Sequence, residues 1–133
     1  MSRKMARDSA FKLIYQIPFH GEQEVSDIIE VYSLGEEYAR LTDKDVEYVN
    51  LAVNSCFDNI EEIDGKISTS LKNWTINRIS KVNLAILRLS IAEMSYADVP
   101  FQVSINEAVE LAKQYSDDDA PSFVNGVLAE IIK

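Results

Sequence analysis

The chain has little of what catalytic and secreted domains are usually built from. Its 133 residues hold one Cys, Cys56, and one His, His20, so the usual nucleophile and base pairs would need those two to meet, and an internal disulfide is excluded. Grouped metal ligands are lacking as well: Asp117-Asp118-Asp119 does not have calcium-loop spacing and suits a helix N-terminus better. The four glycines, at 21, 35, 65 and 126, are scattered singly, which excludes a phosphate-binding glycine loop. No stretch approaches the roughly 18 to 20 apolar residues of a membrane helix. The opening MSRKMARDSA lacks the apolar region of a signal peptide. These absences describe a cytoplasmic, non-catalytic protein with no metal, no cofactor and no membrane contact.

An unpaired Cys56 on an apolar helical stripe agrees with a reducing compartment. In such a compartment the sequon Asn73-Trp74-Thr75 carries no meaning.

What is present is apolar content of 47%, enough for a core without staples, and an uneven charge distribution. The net charge is −9, which argues against coating nucleic acid by bulk attraction. Yet residues 1–12 carry +3 through Arg3, Lys4, Arg7 and Lys12 against Asp8, and residues 65–92 carry +5 with no acid. Residues 13–64 hold −11 and residues 93–133 hold −6. An acidic protein that keeps two basic segments is organised to dock an anion in one place.

The hydrophobic spacing is helical throughout. Ala6, Ala10, Leu13 and Ile17 form one stripe, ended by Pro18 and Gly21, while Lys4, Arg7, Phe11 and Tyr15 share the far face. Cations with aromatic rings suit RNA, taking phosphates and unstacked bases; they equally suit a partner protein, or a helix packed from two sides. Glu24–Tyr38 reads as a second helix. Thr42 or Asp43 caps a long third one through Val46, Val49, Val53, Cys56, Ile60 and Ile63, with Gly65 interrupting it. Val82 to Met94 is apolar at nearly every azimuth and therefore central. Asp98 and Pro100 stop it, and Ser104-Ile105-Asn106-Glu107 fits a capping box that opens the next helix at Ser104.

Asn125-Gly126 normally signals a hairpin, but its flanks keep helical spacing, so a last helix is predicted with Gly126 where helices approach closely. Glu93 falls on the apolar central helix and reads as a buried, hydrogen-bonded carboxylate. Arg88, five residues away, is badly placed to pair with it. The expected architecture is all-α: a single compact domain over residues 1–133 with about seven helices, some short.

Four blocks carry a resemblance: Ala6-Arg7 with Leu13 to Tyr15, then Ala85-Ile86-Leu87-Arg88-Leu89, Val103 to Lys113, and Phe123-Val124-Asn125-Gly126-Val127-Leu128. Together, in this order along the whole chain, they resemble the NusB family of bacterial transcription antitermination factors. The resemblance implies two small helical bundles that bind boxA RNA together with NusE, a ribosomal protein, within the RNA polymerase antitermination complex. It further implies RNA contacts at Arg3, Lys4 and Arg7, at Lys113, Tyr115 and Phe123, and at Lys72 and Trp74. Tyr15 and Asn83 match the NusE-facing positions.

The chain departs from the family pattern in three places. Val82-Asn83-Leu84-Ala85 lacks the acid and base common there, Ser122 stands where a base commonly precedes the phenylalanine, and Met5 stands where Arg is frequent. These losses, with the net −9, motivate a competing reading: a helical protein-interaction module or homodimer with weak or no RNA binding.

Overall fold

The computed structural model describes residues 2–16, 25–71 and 75–133, with the side chains of residues 2, 3, 25, 26 and 37 outside that description. Within these residues the chain forms eight α-helices and one 3-10 turn: α1 (Ser2–Gln16), α2 (Val25–Tyr32), α3 (Glu36–Ala39), α4 (Asp43–Asp58), α5 (Ile60–Ser70), the turn Ile76–Arg78, α6 (Lys81–Tyr96), α7 (Phe101–Tyr115) and α8 (Ala120–Ile131). The first bundle packs α1 against α2, α3 and α4; the second packs α5, α7 and α8 around α6, which also meets α1 and α4.

The apolar azimuths of α6 explain its place. Ala85, Ile86, Leu87, Leu89, Ile91 and Ala92 are all buried, so this helix joins both bundles through one continuous apolar cluster. Arg88, on the same helix, also finds a partner: it holds Asp64 of α5 through two hydrogen bonds of 2.9 and 2.8 Å.

Local signals place the starts of the two longest helices. Thr42 caps α4 by accepting from the Asp45 amide at 3.2 Å, and Ser80 caps α6 by accepting from the Asn83 amide at 3.1 Å. Asp43 and Asp45, and Glu61 and Glu62, put acids in the first turns of α4 and α5, complementing the helix dipoles.

Three expectations are corrected. The break between the third and fourth long helices falls at Asn59, not Gly65; the Asn59 side-chain amide donates to the Ser55 carbonyl at 2.9 Å and competes with the helical ladder. The next helix starts at Phe101, not Ser104, because Pro100 takes the cap position with extended backbone (φ −59°, ψ 143°). The Ser104 hydroxyl, relieved of capping duty, turns inward. Gly126 lies within α8 as expected, but a Cβ there would meet nothing within 4 Å, so close helix approach is not its reason.

Candidate nucleic-acid interface

The site is built from α1 upward. Arg7 differs most from its sequence reading: it is 5% exposed, and its Nε donates to Glu93 Oε2 of α6 at 2.7 Å. The guanidinium also lies 5.7 Å from the Tyr48 ring centroid and 3.7 Å from Glu107 Oε1. Burial alone would lower the Arg7 pKa, but attraction to Glu93, Tyr48 and Glu107 outweighs it and the net direction is up. Glu93 in turn accepts from the Tyr48 hydroxyl of α4 and from the Ser104 hydroxyl of α7, the latter at 2.8 Å. Ser90 of α6 closes the group, its hydroxyl 2.8 Å from that of Ser104. The predicted buried carboxylate is therefore present, satisfied by donors from three other helices.

One turn before Arg7, Lys4 is exposed and lines a cleft of about 330 Å³ between α1 and α7, with Asp8, Glu107, Glu110 and Gln114 on its walls. Arg3 belongs to the same first turn of α1, its side chain outside the described residues. Lys113, in the last turn of α7, is exposed and 3.2 Å from Glu110, a solvated pair of small energetic weight.

Aromatic residues gather where α1 passes the end of α7. Phe11 is buried, with its ring centroid 5.0 Å from Tyr115 and 6.3 Å from Tyr15. The Tyr115 hydroxyl donates to the Asp8 carboxylate. The helix is thus packed from two sides at Phe11, while Tyr15 and Tyr115 remain half-buried beside it.

Just beyond α7, the Ser116 hydroxyl donates to Asn83 Oδ1 at 2.7 Å. Asn83 and Phe123 then share a second cleft, of about 310 Å³, with Arg78, Ser80, Asp117 and Asp119. The structure therefore brings Tyr15, Tyr115, Asn83 and Phe123 along one seam from α1 to the α7–α8 turn. Lys72 and Trp74 lie outside the described residues.

Sequence reasoning missed Asp8 and Ser116, which fix this seam, and Tyr48 and Ser104, which hold Glu93 beneath Arg7. Asp8 had one usable signal, an acid four residues before Lys12, which it meets at 3.0 Å. Tyr48 and Ser104 had none, because the carboxylate they share belongs to a different helix and leaves no mark on their own spacing.

Among the described residues no group of three His, Cys, Asp or Glu side chains is placed to hold a metal, and no helix is long and apolar enough to cross a membrane. The family model for the NusB family matches residues 4–133. The chain belongs to the NusB family. It is 46% identical to transcription antitermination protein NusB of Acetivibrio thermocellus, over 100% of this chain and 90% of that protein. NusB of Clostridium acetobutylicum is 43% identical over 99% and 96%.

Solved structures agree with the fold. NusB of T. maritima superposes with a TM-score of 0.87 at 31% identity, covering 98% of this chain and 90% of that one. A NusB solved with NusE and double-stranded RNA superposes with a TM-score of 0.85 at 33% identity, covering 98% and 95%.

Proposed function

We propose that residues 1–133 form one RNA-binding domain that acts as a non-catalytic adaptor in transcription antitermination, in the cytoplasm. It takes boxA-type RNA and NusE, and joins them to the RNA polymerase antitermination complex. The observation that carries this reading is the likeness, over nearly the whole chain, to the NusB solved with NusE and double-stranded RNA.

The exposure of Lys4 and Lys113 and the placement of Tyr115 and Phe123 along the seam support the assignment of roles, and those of Arg3, Lys72 and Trp74 follow the family pattern. Arg3 and Lys4 at the start of α1 meet phosphate, with Lys113, Tyr115, Phe123, Lys72 and Trp74 as further RNA contacts. Tyr15 and Asn83 meet NusE. Arg7 serves from the inside, since its guanidinium is committed to Glu93.

Titration of labelled boxA-like RNA against a scrambled control, with and without NusE, tests the reading. A preference for boxA that falls with salt is expected; identical binding of both RNAs under both conditions would sink it. The competing reading, an interaction module or homodimer without RNA binding, draws on the net charge of −9 and on Met5 and Ser122, and predicts that negative result together with concentration-dependent sedimentation.

A further inference from the structure

We infer that Glu93 is a positioning residue for RNA binding, holding the cationic start of α1 in the orientation that presents Arg3 and Lys4 to phosphate. The inference rests on the RNA-binding reading above and extends it to a residue that has no access to solvent.

The start of α1 is electrostatically poor as a helix. Its first turn carries no acid, and Arg3 and Lys4 place two cations at the positive end of the helix dipole. Such a turn frays unless something outside the helix holds it. Glu93 supplies that hold. It is 1% exposed and gathers Arg7 of α1, Tyr48 of α4 and Ser104 of α7 on one carboxylate. Arg7 is one turn from Arg3 and Lys4, so fixing its guanidinium fixes the azimuth of both.

A second carboxylate already stands beside Arg7. Glu107 Oε1 is 3.7 Å from the guanidinium, on the wall of the cleft that Lys4 and Arg7 both line. Without Glu93, Glu107 becomes the main partner of Arg7, and the hold on the azimuth of α1 passes from the buried interior to the cleft wall. The effect would reach RNA through geometry, since Glu93 itself touches none.

The experiment is a salt series of binding titrations with a single-stranded boxA-like RNA, at a temperature where circular dichroism shows each variant folded. Glu93→Gln should weaken binding about tenfold, the scale of one charge-assisted hydrogen bond, and flatten the salt dependence by roughly 0.7 for each phosphate no longer neutralised. Lys4→Ala should cost affinity in the native background and little in the Glu93→Gln background. Unchanged affinity and salt slope in Glu93→Gln, or an equal Lys4→Ala cost in both backgrounds, would overturn the inference alone. If Arg3→Ala with Lys4→Ala leaves native RNA affinity intact, RNA does not lie on the start of α1 and the inference falls with that site assignment, whereas equal binding of boxA-like and scrambled RNA by the native chain would sink the reading beneath it. Should Glu93→Gln fail to fold, Ser104→Ala, which keeps the ion pair and removes one donor, should show a smaller loss and a flatter slope; neither change would again overturn it.

Discussion

Arg7 and Glu93 stand 86 residues apart in the chain and 2.7 Å apart in space, with both side chains withdrawn from water. An ion pair in this setting is a condition of the fold more than a source of stability, since desolvation offsets most of the attraction. Glu93→Ala, which leaves the guanidinium buried without its main partner, should cost about 3–5 kcal/mol in urea unfolding. The double replacement Arg7→Met with Glu93→Leu should recover most of that loss, and a double variant as unstable as the single would show that the charges themselves are needed.

Leu89 is 1% exposed on the helix that joins the two bundles. Leu89→Ala should therefore destabilise by about 2–5 kcal/mol. A loss under about 1 kcal/mol in chemical unfolding would place α6 at the periphery.

The backbone offers two opposite glycine substitutions. Asp98 adopts φ 55° just after α6, a left-handed conformation that suits Gly better, while Gly126 sits inside α8 with open space where a Cβ would go. Asp98→Gly and Gly126→Ala should each raise stability by about 0.5–1 kcal/mol. Thermal unfolding measures both. A Gly126→Ala chain that gains stability but no longer binds a partner would mark this face of α8 as a docking surface.

Burial pushes the Cys56 thiol up from 9.0 to about 12. Since the unfolded thiol ionises first as pH rises, the stability owed to keeping it neutral is full below 9 and drains away between 9 and about 12, at about 1.4 kcal/mol per pH unit. Cys56→Ala should flatten the alkaline limb of a stability profile. At pH 8 the native thiol should resist alkylation and react promptly in urea; rapid native labelling would contradict its burial.

The sequence was most legible where local and tertiary demands agreed. Thr42 capped α4 and the stripe of Val49, Val53 and Cys56 was buried, because a helix cap and a periodic apolar face need only neighbours in sequence. The same logic made α6 central. Ser104 shows the opposite case: its capping-box spacing with Glu107 is real, but Pro100 started the helix earlier and Glu93 claimed the hydroxyl.

The burial of Arg7 was not legible, for a related reason. A cation on the Phe11 and Tyr15 face reads as surface until a carboxylate on α6 and a hydroxyl on α4 are seen to meet beneath it. Such long-range polar commitments leave no periodicity to count. The aromatic seam was half legible, since Phe11 was already open to a two-sided packing reading, whereas the Asp8–Tyr115 bond that secures it spans 107 positions.

The distance between Arg7 and Glu93 also has a temporal meaning. A ribosome making roughly 5–20 residues per second needs several seconds to add the 86 residues between them, so α1 is made early yet lacks its anchor until α6 has emerged. During that interval the carboxylate that holds Arg7 is missing, so the first helix to be made is among the last to be fixed.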